Sequence, residues 1–291
     1  MDIQLPVFTA VPGGSCYNVA ITIARQNQPV SYVTPISTDS LGDLLAERLV
    51  TDGVILGTPR SDAPTSLAVV SISNGQPSYQ FYRNKTAERQ INTKILDAAI
   101  RNLSKIFHIG SLSLINGVDA TCWERKFQAL TRTGVITSLD PNARPVAVRD
   151  KTSYVDRFRR MAKFASVLKL SDEDLKYIIP DTTVEDAFDQ LYEKAGAQLM
   201  ILTKGSKGSL VRTPNGQFDA KAVVADPFRD TVGAGDTFMG TILVELYKLN
   251  LSVDDLFRLS LEKLKVMVER ASRAAALNCQ TAGCNPPYGK I

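Results

Sequence analysis

The chain has 291 residues, 44% of them hydrophobic and 22% charged, an ordinary globular balance that excludes disorder, collagen-like repeats and a coiled coil. Its 34 basic and 30 acidic residues leave a net charge of +4, too even for nucleic acid to be the main partner. No apolar run approaches the roughly 18 residues a membrane helix needs, and no basic segment precedes an apolar one at the N-terminus, so neither a membrane nor a secretion signal is expected.

Segments alternate along the chain. Residues 15–25 read as a helix after Gly13-Gly14, 31–36 as a strand, and 41–52 as a helix with Leu44, Leu45, Leu49 and Val50 inward. Residues 66–73 and 78–82 read as two strands, and Asn74-Gly75 between them is a hairpin signal because both residues tolerate positive φ. The alternation then resumes. Helices are expected at 95–103, 120–131, 153–163 and 184–195, and strands at 105–109, 134–140, 165–170 and 199–203. Residues 209–212 and 217–220 can pair across Asn215-Gly216, and helices at 236–247 and 261–277 close the chain. The expected fold is α/β, doubly wound, with a mostly parallel sheet covered on both faces and a small β flap. Ligands in such sheets bind beyond the carboxyl ends of the strands.

Four cysteines, Cys16, Cys122, Cys279 and Cys284, form no CxxC pair and stand beside a single histidine, which argues against a zinc site. A reducing cytoplasm is the simplest fit. His108 lies in an apolar run and reads as a core residue. The cluster Arg157, Arg159, Arg160 and Lys163 reads as a solvated helix face.

The segment Asp230-Thr-Val-Gly233-Ala234-Gly235-Asp236-Thr-Phe238 carries the most chemistry. Glycines before a helix let main-chain N–H groups converge, and the helix start adds partial positive charge, so the turn suits phosphate oxygens. An aspartate inside such a turn opposes an anion unless it has a task. Taking a proton from an attacking hydroxyl is one, as in phosphoryl transfer. A plain helix cap is the other reading of Asp236.

Thr-Val-Gly-Ala-Gly-Asp-Thr-Phe resembles the C-terminal signature of the PfkB (ribokinase-like) carbohydrate kinases. Gly13-Gly14…Asn18-Val-Ala, the stretch 37–53 and Leu202-Thr203-Lys-Gly205-Ser-Lys-Gly208 are similar to further segments of that family, so the likeness spans nearly the whole chain. Tyr79–Arg83, Asp140-Pro-Asn142-Ala-Arg144-Pro145 and Val167–Leu175 look like its fructokinase branch.

The resemblance implies one kinase domain over residues 1–291, with the flap drawn from about 4–14 and 54–90. It implies Asp236 as catalytic base and Gly233, Ala234 and Gly235 as an anion hole for the γ-phosphoryl group. Gly14, Asn18, Arg83, Asn142 and Arg144 match substrate-side positions. Thr203, Gly205, Gly208, Asn278 and Gly283 match nucleotide-side positions. ATP and Mg²⁺ are the implied cofactors. Asp174 stands where many relatives place a Glu linked to Mg²⁺, and acts there through water. Asp230 matches the start of a monovalent-cation loop, which makes K⁺ a candidate activator. Flap-to-flap contact makes a homodimer the candidate assembly.

Two departures stand out. Only twelve residues precede Gly13, so the family's first strand and its sugar-binding aspartate are expected to be missing, and Asp2 is not given that role. Val232 replaces a threonine, and Ser171 an asparagine. The expected reaction is ATP-dependent phosphorylation of D-fructose to fructose 6-phosphate. A 2-keto-3-deoxygluconate, other sugar or nucleoside kinase, and a silent relative that binds a sugar or a protein partner, are the alternatives left open. A dinucleotide-dependent dehydrogenase is not, because no GxGxxG follows an early strand.

Overall fold

The computed structural model describes residues 8–73, 76–100, 105–289 and 291. The first elements are α1 (Ser15–Arg25), β1 (Ser31–Tyr32), α2 (Ser40–Thr51), β2 (Ile55–Leu56), β3 (Leu67–Ser73) and β4 (Gln76–Tyr82). Then come α3 (Thr93–Ala99), β5 (Ile106–Gly110), α4 (Val118–Leu130), β6 (Ile136–Asp140), α5 (Lys151–Ala162), β7 (Val167–Ser171), α6 (Asp172–Ile178) and α7 (Val184–Lys194). The chain finishes with β8 (Leu199–Thr203), β9 (Ser209–Thr213), β10 (Gly216–Ala220), α8 (Ala234–Lys248), α9 (Val253–Leu256) and α10 (Leu261–Asn278).

Six strands form the central sheet in the order β10-β9-β8-β7-β6-β5. β5 through β8 run parallel, while β9 and β10 join antiparallel. Strand alternation feeds two cores. Leu139, Leu168, Leu170, Met200 and Leu202 pack under α3 to α7, and Ile136, Val167, Leu199 and Ile201 pack under α1, α8 and α10. This double coverage explains why the strands read as near-continuous apolar runs.

Outside that sheet, β1 and β2 form a short parallel pair and β3 and β4 an antiparallel hairpin, in register from Leu67 opposite Tyr82 to Ser73 opposite Gln76. The Asn74-Gly75 turn itself falls outside the described residues. So do residues 1–7, the region of the expected missing strand and of the flap's start. Residues 8–14 form no strand. Asp39 caps α2 through Gly42 N–H and also accepts from the Thr65 N–H and hydroxyl, so one carboxylate ties a helix start to the base of the hairpin.

Three local expectations are corrected. The expected strand at 31–36 shrinks to two residues, because its partner among the described residues, β2, is itself two residues long. In α2 the inward face is Gly42, Ala46 and Leu49, whereas Leu44 and Val50 are exposed, because a narrow stripe suffices against a small cluster of α1 and β2 residues. The basic cluster is not simply solvated: Arg157 and Arg160 both donate to the buried Glu124 of α4.

His108 is a strand residue as expected, its Nδ1 2.9 Å from Ser138 Oγ on the neighbouring strand. Burial and then the Lys169 charge push its pKa down to about 3. The folded state therefore keeps His108 neutral, while the unfolded chain protonates it near pH 6.5. Stability is full above that value and falls as pH drops from 6.5 toward 3, by up to about 1.4 kcal/mol per pH unit. Thermal melts of wild type and His108→Gln at pH 7 and pH 5 should show the larger acid loss in the wild type. Equal losses would mean the imidazole is not held neutral.

Candidate active site

α8 begins where the carboxyl ends of β5 and β6 approach α1. Gly233, at φ +77°, turns the chain into the helix, and a Cβ there would sit 2.3 Å from Cys284 Sγ, so both conformation and space require glycine. The Ala234 N–H donates to Thr231 O at 3.1 Å and the Thr237 N–H to Gly233 O at 2.8 Å. Among the described residues no partner is found for the amides of Gly235 and Asp236, which lie at the positive end of the helix. Of the expected anion-hole residues, Ala234 spends its amide on closing the turn onto Thr231 O.

Asp236 lies in the first turn of α8 and is 6% exposed. Its carboxylate is fixed from two directions. From α1, the Ser15 hydroxyl donates to Oδ1 at 2.7 Å and Asn18 Nδ2 to Oδ2 at 2.7 Å. From the loop after β6, Asn142 Nδ2 donates to Oδ1 at 3.2 Å and to Ser15 Oγ at 2.9 Å. Burial raises the Asp236 pKa, the Asn18 and Ser15 hydrogen bonds oppose that, Asp140 adds to it and Lys169 opposes it, and the net direction is upward. A carboxylate above its ordinary range, yet held by donors, is suited to accept a proton near neutral pH.

The other expected positions distribute unevenly. Gly14 is the N-cap residue of α1, its carbonyl accepting from Asn18 N–H at 2.8 Å. Arg144 folds back on its own loop, donating to Asn142 Oδ1 at 2.6 Å. Arg83 does not extend from the hairpin; it donates to Glu88 and to Leu112 O, with its side chain 9% exposed. Thr203 ends β8, and Gly205 and Gly208 lie on the loop after it, which is closed by Lys204 N–H on Gly208 O at 2.8 Å. That loop abuts residues 220–222, which line a cleft of about 430 Å³ together with Phe218 of β10 and Lys265, Glu269 and Arg273 of α10.

Asn278 and Asp174 are corrections. Asn278 is wholly buried; its Nδ2 donates to Val232 O at 2.7 Å and its Oδ1 accepts from Asn285 N–H at 2.8 Å, so it latches loops together and presents nothing to a ligand. Asp174 forms a capping box with Ser171 and accepts Ala143 N–H at 2.6 Å, so it holds the end of β7 against the Asn142 loop. Asp230 accepts from Val232 N–H at 2.8 Å and Gly283 N–H at 2.7 Å, joining the approach to α8 to the C-terminal turn.

Three residues of the constellation lie inside the motif segments but receive no role from sequence: Ser15, Asp140 and Lys169. Ser15 is legible only as the first residue after the glycine pair. Lys169 could have been flagged as one charge inside the apolar strand 167–170. Asp140 opens the fructokinase-like segment 140–145, and only the sheet shows it facing Lys169 across β6 and β7 at 2.9 Å. Cys16 packs beside them, its thiol pushed up to about 12 by burial and then by Asp236 and Asp140, so it stays protonated and unreactive.

Comparisons with known proteins match the chain over most of its length. A fructokinase from Rhizobium leguminosarum bv. trifolii is 36% identical over 251 residues, covering 84% of this chain and 74% of that protein. A probable fructokinase-4 from Arabidopsis thaliana is 29% identical over 289 residues, covering 97% of this chain and 85% of that protein. A fructokinase structure from Xylella fastidiosa with bound ATP superposes with a TM-score of 0.86 at 26% identity, covering 94% of this chain and 85% of that one. The description of the pfkB family carbohydrate kinases matches residues 2–290, so this chain, with its doubly covered α/β sheet, belongs to the pfkB family of carbohydrate kinases.

Proposed function

We propose that this chain transfers the γ-phosphoryl group of ATP to the primary hydroxyl of D-fructose, giving fructose 6-phosphate and ADP. One observation carries the reading: Asp236 is fixed by Ser15, Asn18 and Asn142 beside unpaired amides at a helix start. In that arrangement Asp236 takes the hydroxyl proton as the sugar oxygen bonds to the γ-phosphorus. The bond to the bridging oxygen breaks, and its electron pair leaves with ADP. The Gly235 and Asp236 amides face the negative charge of the transferring group. The loop 203–208 and the cleft between β10 and α10 give the nucleotide its place.

No group of three His, Cys, Asp or Glu side chains able to hold a metal is found among the described residues. The nucleotide's Mg²⁺ would be held by its phosphates and water, since the buried Asp140 and Asp174 carboxylates already accept donors from the protein. Mg²⁺ so bound neutralises phosphate charge. The Asp230 carboxylate accepts one main-chain N–H bond on each oxygen, which clamps the loop and leaves each oxygen a lone pair for a K⁺ ion, and no step runs through it.

Arg83 and Arg144 are both engaged within the protein, which supports a neutral hexose over a carboxylated sugar. The hairpin serves as the lid of a single kinase domain, closing to exclude water. Its exposed Leu67, Val70, Tyr79 and Tyr82 supply an apolar surface for dimerisation. Free cysteines and the lack of a helix long and apolar enough to cross a membrane, among the described residues, support a cytoplasmic site of action.

The test is coupled ADP release with fructose, glucose, ribose, 2-keto-3-deoxygluconate and nucleosides as acceptors. Fructose should exceed every other acceptor at least tenfold in kcat/KM. A higher value for another acceptor would replace the substrate, and sugar binding without ADP release would select the silent relative.

A further inference from the structure

Lys169 sits on the face of β7 that turns toward α8, alongside Val167, where an apolar residue is the ordinary choice. Its ammonium donates to Asp140 Oδ2 at 2.9 Å, with the two side chains 4% and 0% exposed. The other Asp140 oxygen accepts the Asn142 N–H at 3.1 Å and holds that residue at φ +35°, a conformation uncommon outside glycine. Asn142 then donates to Asp236 and to Ser15. A Cβ built on Gly235 would lie 3.2 Å from Lys169 Nζ, so the ammonium lies against the residue that precedes Asp236. The charge thus touches the site both through a relay of bonds and directly beneath the turn.

Stability alone does not account for it. A buried ion pair is often matched or bettered by apolar residues of similar volume, because desolvation offsets the attraction. The geometry points to Lys169 as a positioning residue for the phosphoryl transfer proposed above, on which this role rests: it keeps Asp236 ionised and, through Asp140 and Asn142, keeps its carboxylate aimed.

The charges around Asp236 have opposing signs. Burial and Asp140 push its pKa up while Lys169 pulls it down. Lys169 is itself disfavoured by burial, but Asp140, Asp174 and Asp236 outweigh that and hold it above its ordinary value, so it stays charged. On the other elements, Asp174 of α6 is raised by burial and by Asp140. The Cys16 thiol of α1 and the Cys284 thiol of the C-terminal turn are pushed up to about 12, chiefly by burial, and His108 of β5 down to about 3. Between pH 5 and 9 the thiols and the imidazole stay neutral.

Removing the positive and the negative partner should therefore shift Asp236 in opposite directions, and loss of the carboxylate's aim should lower kcat more than it changes KM. The readout is the Asp236 carboxyl titration by carbon-13 NMR of aspartate-labelled protein without substrates, its resonance assigned by its loss in Asp236→Asn. Lys169→Met should raise the midpoint by about one pH unit, and Asp140→Asn should lower it. The acid limb of kcat/KM for fructose should move in parallel, with kcat falling more than KM changes. Midpoints that stay put, or that move the same way in both variants, overturn the assignment. If Lys169→Met does not fold, as judged by circular dichroism, Asp140→Asn decides alone: a downward move supports the role and an unmoved midpoint overturns it. Opposite NMR shifts in the two variants, together with a wild type that phosphorylates no sugar, would sink the kinase reading and leave the Lys169–Asp236 coupling standing.

Discussion

Asp236→Asn is expected to lower kcat by about 10²–10⁴-fold while ATP binding survives. The amide keeps the shape of the carboxylate but cannot accept the hydroxyl proton. A positioned base contributes roughly 3–5 kcal/mol to the barrier on that scale. The Asn18 and Asn142 amides would face an amide in place of a carboxylate, so part of the loss reflects a rearranged clamp. Coupled ADP release gives kcat, and isothermal titration with ATP gives binding. Turnover within threefold of wild type would remove Asp236 from the proposed chemistry.

Gly110→Ala is expected to damage both fold and site. Gly110 ends β5 opposite Asp140 of β6, and a Cβ there would lie 1.9 Å from the Asp140 carbonyl oxygen. Its backbone is extended, so the conflict is one of space and not of conformation. The atom in the way is main chain, and no side-chain rotation relieves it. Overpacking of this kind costs about 1–3 kcal/mol, which lowers Tm by about 2–10 °C in a chain of this size. The strand shift also displaces Asp140, and with it Lys169 and Asn142, so kcat should fall along with stability. Differential scanning fluorimetry and the ADP assay read both quantities. An alanine variant with wild-type Tm and kcat would show that β5 and β6 part freely at this point.

Much of the fold was legible because apolar periodicity and turn residues act locally. α1, α8, α10, β8 and the β9–β10 pair lie within a residue or two of their expected ends. The parallel core followed from strands without polar alternation. Errors arose where partners decide the outcome. β1 stopped at two residues because β2 offered no more edge. The outward Leu44 and Val50 of α2 follow from the small surface that helix covers.

The site divides in the same way. The glycine turn with its aspartate, the Gly13-Gly14…Asn18 segment and Asn142 were readable as motifs, since each needs particular residues at fixed spacing, and the structure brings them together around Asp236. The sequence by itself determined the fold class and singled out Asp236 as the carboxylate proposed for the chemistry. Only the tertiary structure decided that Asn278, Asp174 and Asp230 hold loops, that Arg83 turns inward, and that Lys169 and Asp140 meet. Hydrogen bonds and ion pairs depend on distances of about 3 Å between residues far apart in the chain. Such distances are set by sheet register and helix packing, which no short segment encodes.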